Sequence, residues 1–478
     1  MTTTELTDAP DARAAGPPDA WWPHVKAALA GAHYDYTAGP VGRSLWLLAI
    51  PMVLETLMES LFAICDVFFV SRLGADAVAT VGLTESMLTL LYALAMGLSI
   101  GATATVARRI GEQDPEGAAR AAVQAIALGA AVSLAIGVAG FLAAPALLTA
   151  MGAAPSIVAT GSTYTRLMLG GNATVVLIFL INAVFRGAGD AAIAMRVLWL
   201  ANALNIVLPP CLIFGLGPFP ALGVTGAAVA TNLGRGTGVL FQLYALSRPG
   251  GRLRVEARHL GLDGAVMRGI WRLSATGVFQ ILVSTTSWVF LVRILSAFGS
   301  AVLAGNTIGI RLIVFAMLPA WGLANAAATM VGQALGAGKP DRAERAAWLA
   351  ARYNVLCLSV VSLGFIAAAR PIVAVFTADP EVARHAVACL RTVSGGFILF
   401  GFGLTLASAL NGAGDTWTPT WINIACFWGF EIPLAYVLAV PVGWGPVGVY
   451  TAITAAFVLH ALVSVVVFRR GRWRTAQV

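Results

Sequence analysis

Charge is scarce in this 478-residue sequence: Asp, Glu, Lys and Arg together make up 11% of it, against roughly 25% in soluble domains. With a mean hydropathy of +0.83, the chain cannot clothe a water-facing surface and belongs to the polytopic membrane class. Lysine is nearly missing. Of the 30 basic residues only Lys26 and Lys339 are lysines, and the arginines are scattered between apolar runs. The net charge of +8 therefore forms no basic, aromatic-laced face of the kind that binds nucleic acid. The five cysteines, Cys65, Cys211, Cys357, Cys389 and Cys426, lie in apolar runs without C-x-x-C spacing, which argues against a zinc site or a disulfide framework. Enzyme signatures are missing too. There is no H-E-x-x-H helix, and Gly336-Ala337-Gly338-Lys339 runs into Pro340 where a phosphate loop needs Ser or Thr. No cofactor is called for, and any uphill transport must draw on an ion gradient.

What is present begins with Leu47–Val70, long and apolar enough to cross a bilayer, which takes roughly 20 helical residues. It nevertheless carries Glu55, Glu59 and Asp66 behind Pro51. At 100° per residue the three carboxylates fall within one stripe of a helix, which can turn them away from lipid. Ionisable groups in a membrane are costly and are by default functional candidates.

A window of about 19 residues finds twelve apolar segments, near 44–70, 78–104, 119–144, 158–184, 191–215, 221–247, 270–297, 302–331, 346–369, 384–409, 417–440 and 445–468. With the N-terminus in the cytoplasm, twenty-two bases fall inside and three, Arg72, Arg370 and Arg384, outside. That bias fits the positive-inside rule and puts both termini in the cytoplasm of a cell whose inner membrane holds the chain. Residues 1–42 have no apolar core behind a basic start, so they read as a cytoplasmic tail and not a cleavable signal. Trp21, Trp22, Lys26, Tyr34 and Tyr36 suggest an interfacial segment there. Five bases, Arg166, Arg235, Arg293, Arg311 and Arg391, fall within spans or near their ends, where some are expected to snorkel, while Arg311, near the middle of its segment, and Glu85 are better candidates for inward-facing charges.

An internal repeat organises the chain. The run from Met96 (MGLSIGATATVARRIGEQDPEGAARAA) aligns with the run from Trp321 (WGLANAAATMVGQALGAGKPDRAERAA) at an offset of 225. The same offset carries Arg186-Gly187-Ala188-Gly189-Asp190 onto Asn411-Gly412-Ala413-Gly414-Asp415, and Gly74 onto Gly299. A constant offset means two six-helix halves of the same orientation, the parallel kind of transporter repeat. The division is a tail at 1–42, lobes at 43–247 and 269–468, an Arg-rich cytoplasmic linker at 248–268 and a tail at 469–478. Two such halves suit alternating access. A channel is the weaker reading, because nothing resembles a selectivity filter.

The paired Gly-Ala-Gly-Asp motifs, the AATMVGQALGAGKPDRAER run and an opening helix with Pro51 and Asp66 resemble the multidrug and toxic compound extrusion (MATE) family over about residues 40–470. The resemblance implies an all-α fold of twelve transmembrane helices in two pseudo-symmetric lobes arranged as a V. It also implies a secondary active antiporter, read here as a monomer in the lipid bilayer, that exports amphipathic, often cationic small molecules against protons or sodium. A flippase for lipid or lipid-linked oligosaccharide is the alternative, and the acidic first helix speaks against it.

Site residues follow position by position. The family's ion-binding Asp stands fifteen residues after the Pro of the first helix, and Pro51 to Asp66 has that spacing. A Tyr and an Asn of the same cluster match Tyr164 and Asn205. The family's NxxLD pattern here reads Asn205-Ile206-Val207-Leu208-Pro209, so the second carboxylate is missing. Asp66 and Asn205 would hold the metal ion if sodium couples, but a sodium cage wants several oxygens and a proton needs one carboxylate, so proton coupling through Asp66, Glu55 and Glu59 is favoured. Glu431, before Pro433, is a candidate counter-charge for a substrate or a second coupling acid, with a salt bridge as the plain alternative. Phe62, Trp288, Phe315, Met317 and Trp321 are candidates to line an aromatic cavity for cations, against ordinary packing. At offset 225, Glu55, Glu59 and Asp66 fall on Gln280, Ser284 and Leu291, so coupling is expected in the N-terminal lobe alone.

Overall fold

The structure, a computed structural model, describes residues 21–31, 34–70 and 73–476; the side chains at positions 21, 24, 60–70 and 75 lie outside the described residues. Among these residues the chain is helical throughout. A short helix α1 (Trp21–Ala30) precedes α2 (Val41–Val70), α3 (Ala75–Gly111), α4 (Pro115–Ala150), α5 (Pro155–Gly170), α6 (Ala173–Ala188), α7 (Ala191–Phe214) and α8 (Val224–Ser247). After the linker come α9 (Gly264–Ser296), α10 (Ser300–Gly336), α11 (Pro340–Ala374), α12 (Pro380–Ala413), α13 (Trp417–Asn423), a π-helical segment Ile424–Glu431, α14 (Ile432–Ala439) and α15 (Pro446–Arg469). Eleven helical stretches are long and apolar enough to cross a membrane. A twelfth, α8, is 24 residues long and falls short in apolarity because it carries Asn232, Arg235 and Gln242. It is a multi-pass membrane protein.

Local chemistry sets the boundaries. Proline opens α4, α5, α11, α12 and α15, where its missing N–H costs nothing. The carboxylates of Asp114, Asp263 and Asp379 accept backbone amides at the starts of α4, α9 and α12. The fourth apolar segment differs from the single helix expected. It breaks at Gly171-Asn172, where the Asn172 Nδ2 donates to the carbonyls of Leu169, at 2.6 Å, and Ser133, at 3.1 Å.

The repeat is built into the backbone. Helices α3 and α10 start and stop 225 residues apart, and the α5–α6 stretch, 155–188, matches α12, 380–413. Gly74 and Gly299 precede α3 and α10 with φ of 98° and 102°. Gly189 and Gly414 end α6 and α12 in the left-handed conformation, which suits glycine.

The two bundles meet through matched glycines. A Cβ on Gly97 would lie 2.3 Å from the Val278 amide nitrogen, and one on Gly322 would lie 2.8 Å from Val53. Further along, Gly111 sits against the carbonyl of Gln333 and Gly336 against that of Arg108, with hypothetical Cβ distances of 2.1 and 2.2 Å. Both pairs are reciprocal under the 225 offset, as in a self-complementary two-fold interface. All lie in the halves of the helices nearer the Arg-rich loops, the basic end.

A strap crosses that end. The Arg342 guanidinium of α11 donates to the carbonyls of Tyr36 (2.9 Å), Ala38 (2.6 Å) and Gly39 (2.7 Å) and to the Ser44 hydroxyl (3.1 Å). Lys339 donates to the Thr37 carbonyl at 2.9 Å. From the other side Arg252 of the linker donates to the carbonyls of Tyr34 and Gly189. Tyr36, expected at the membrane interface, is instead buried, with the Arg252 guanidinium 4.8 Å over its ring. Burial pushes its hydroxyl up to about 12. Burial also raises the Asp35 carboxyl, but hydrogen bonds from the Thr37 hydroxyl and amide and the nearby charges of Lys339 and Arg252 outweigh it, leaving it below the ordinary value.

Candidate functional site

Glu55 and Glu59 of α2 face the interior of the N-terminal bundle. Glu55, one turn beyond Pro51, is 3% exposed. Its Oε1 accepts from the Arg186 guanidinium at 2.6 Å and from Asn182 Nδ2 at 3.1 Å. Gln242 of α8 fixes Asn182 in turn, donating to its Oδ1 at 2.7 Å and to the Ile178 carbonyl at 3.0 Å. Among the described residues the Glu55 Oε2 is buried without a hydrogen-bond partner. Glu59, one turn further along, is close enough to feel Glu55, Arg235 and Arg186. Helix α7 braces this stretch, with Asn202 Nδ2 donating to the Met58 carbonyl at 3.1 Å and the Trp199 indole to that of Leu54 at 3.5 Å.

Arg235 is not among the in-span bases that snorkel. It is 8% exposed, between Gly234 and Gly236 in mid-α8, and donates to the Tyr92 hydroxyl at 2.8 Å. Its guanidinium lies 5.6 Å from the Tyr92 ring centroid, while Glu59 and Glu85 act on it electrostatically. The N-terminal bundle thus holds two guanidinium groups against its interior carboxylates.

The other candidates fall in several places. Asn205 is buried on α7, donating to the Ala201 carbonyl at 3.2 Å, with its Oδ1 unpartnered. Tyr164 is buried on α5 among Val81, Leu88, Leu91 and Met168. The side chains of Phe62 and Asp66 lie outside the described residues. In the C-terminal bundle Glu431 is 2% exposed at the end of the π-helical segment, and no ion pair to it occurs among the described residues. Trp288 and Met317 pack against that bundle's core, Phe315 is exposed and Trp321 partly buried. The described cavities do not gather these aromatics. One, of about 250 Å³, lies between α1, the strap and α7, and another, of about 160 Å³, lies near Trp473.

The first of the paired turns also joins the bundles. Gln333 of α10 donates through Nε2 to the carbonyl of Gly187, 2.8 Å away, in the turn that follows Arg186. The sequence model of the MatE family matches the chain twice, over residues 51–211 and 276–437, again starting 225 residues apart. The chain belongs to the MATE family of efflux transporters.

Relatives agree along nearly the whole length of this MATE protein. It is 27% identical to a probable multidrug resistance protein NorM of Thermotoga maritima, covering 91% of this chain and 93% of that one. It is 25% identical to a FAD transporter of Shewanella oneidensis, covering 83% and 88%. Among solved structures, a MATE transporter in complex with MaL6 superposes with a TM-score of 0.86 at 27% identity, covering 91% of this chain and 97% of the other. An outward-facing multidrug resistance MATE transporter of the MOP superfamily superposes with a TM-score of 0.85 at 26% identity, with the same coverage.

Arg186, Asn182, Gln242, Gln333 and Arg235 were missed as site residues. A signal for the first was present. Glu55 and Arg186 fall on Gln280 and Asn411 in the second copy, so both charges disappear together, as expected of residues that pair.

Proposed function

We propose that this MATE transporter exports amphipathic, often cationic small molecules from the cytoplasm by proton antiport through alternating access. Protons enter the N-terminal lobe, and the basic end, with both termini, faces the cytoplasm of an inner-membrane protein. The observation that carries this reading is the Glu55–Arg186 pair, 2.6 Å apart and buried beside Glu59. A sodium ion would need several oxygens there and would have to share the Glu55 carboxylate with a fixed guanidinium. A proton needs only the free Oε2. The positive-inside bias supports the orientation, and the names of the NorM relatives support the cargo class. The test is efflux from vesicles of purified protein, in which transport follows an imposed pH gradient and ignores a sodium gradient.

A second cargo, an anionic aromatic compound, is favoured by buried Arg235 over Tyr92 and by the name of the Shewanella FAD transporter. Competition of flavin nucleotides with a cationic dye separates the two.

A further inference from the structure

We infer that Arg186 carries the protonation of Glu55 to the contact that holds the two lobes together at the basic end. The inference rests on the proton-coupled reading above. The Glu55 Oε1 binds Arg186 at 2.6 Å and Asn182 at 3.1 Å, whereas Oε2 is buried and, among the described residues, bare. An ionised oxygen without a partner in an apolar interior is unfavourable, so Oε2 is where a proton brings most relief. Protonation removes the charge that holds Arg186. Asn182 is held in place by Gln242, whereas Arg186 sits in the last turn of α6, and the next residue's carbonyl is the one Gln333 grips from the opposite lobe. Two residues on, the carbonyl of Gly189 accepts from Arg252, whose guanidinium also holds the strap at Tyr34. A shift of this single turn reaches both ties.

The second copy has no equivalent device. Glu55 and Arg186 are replaced there by neutral Gln280 and Asn411, and the repeat mate of Gln333, Arg108, donates to the carbonyl of Ala476 within the tail. Among the described residues the charged groups facing Glu55 are Arg186 from α6 and Glu59 on its own helix; Arg235 of α8 faces Glu59, with Glu85 and Tyr92 of α3 beyond. From α7 come Asn202 and Trp199, both bonded to the α2 backbone, and α10 presents Gly322 to Val53. On the strap, Asp35 is held below the ordinary carboxylate value, so it stays ionised in the pH range where the switch works.

The test places spin labels at Arg120→Cys and Arg345→Cys, exposed positions on the basic ends of α4 and α11, in full-length protein freed of its native cysteines and reconstituted in liposomes. Distances are read at pH about 7.5 and about 5.5, a window that ordinary carboxylates and the strap do not span. Acid is expected to raise the ratio of separated to closed lobes by roughly fivefold or more. That response should vanish in Arg186→Gln, persist in part in Arg186→Lys, and shrink in Gln333→Ala, which leaves the ion pair intact. An unresponsive wild type, or a full acid response in Arg186→Gln or in Gln333→Ala, overturns the inference. Efflux that follows sodium alongside an intact acid response in the distances would instead overturn the proton-coupled reading and leave this one standing.

Discussion

Gln333, on the tenth helix of one lobe, donates a 2.8 Å hydrogen bond to the carbonyl of Gly187 in the other. The acceptor belongs to the residue after Arg186, which pairs with Glu55, so the buried ion pair and the lobe contact share one turn of backbone. Removing one member of a buried ion pair strands the other charge and costs roughly 3–5 kcal/mol. Glu55→Gln and Arg186→Asn should each lower the unfolding temperature in detergent. The double variant, which copies the Gln280 and Asn411 arrangement of the second lobe, should be more stable than either single one. A strictly additive double-mutant cycle would show that the pair is not coupled.

The reciprocal glycines give a second expectation. A Cβ on Gly111 or Gly336 would come within 2.2 Å of a backbone carbonyl across the interface, where nothing flexible can give way. Gly111→Ala and Gly336→Ala should therefore insert normally and keep the basic ends apart. The separated population is read with the same label pair, and transport should fall with it. Wild-type closure in both variants would show that this interface is not the closed state's contact.

Arg342 makes four hydrogen bonds to the strap and to Ser44. Charged hydrogen bonds are worth about 1.5–3 kcal/mol each when buried, so Arg342→Ala should free the strap locally. Amide exchange across residues 35–39 should speed up by more than about tenfold while the exchange of α2 stays slow. Because the Asp35 carboxyl is held below the ordinary value, the strap's own contribution is present above about pH 3.8 and is lost only as the pH falls through the lower folded value. Unchanged exchange in Arg342→Ala would remove the strap as a tie between lobes.

A change at Glu431 tests whether the lobes are functionally distinct. With Gln280, Ser284 and Leu291 in place of the three acids of α2, Glu431→Gln should weaken the apparent affinity for a cationic dye while leaving the response to a pH gradient intact. Asp66→Asn should abolish that response. Loss of coupling in Glu431→Gln with full activity in Asp66→Asn would place the ion site in the wrong lobe.

The fold was readable because a membrane span is a local property: twenty apolar residues and the charges at their ends declare it. The repeat was readable because Gly74 and Gly299, or Gly189 and Gly414, need the same unusual backbone conformation at the same offset. The acids of α2 stood out for their cost in lipid. Their partners did not. Arg186 looked like one more loop base of the positive-inside count, and Arg235 like a snorkelling one, because pairing across helices leaves no trace in periodicity. The break at Asn172 and the π-helical segment Ile424–Glu431 were hidden for a related reason, since their side chains reach to neighbouring helices, Asn172 to the Ser133 carbonyl on α4 and Trp428 to the Val283 carbonyl on α9.

Efflux from vesicles of purified protein, with a pH gradient and a sodium gradient imposed separately, tests coupling through the N-terminal lobe most directly when wild type and Glu55→Gln are compared. Wild-type efflux should follow the pH gradient alone, and Glu55→Gln should lose that dependence. Efflux driven by sodium, or proton-driven efflux undiminished in Glu55→Gln, would contradict it.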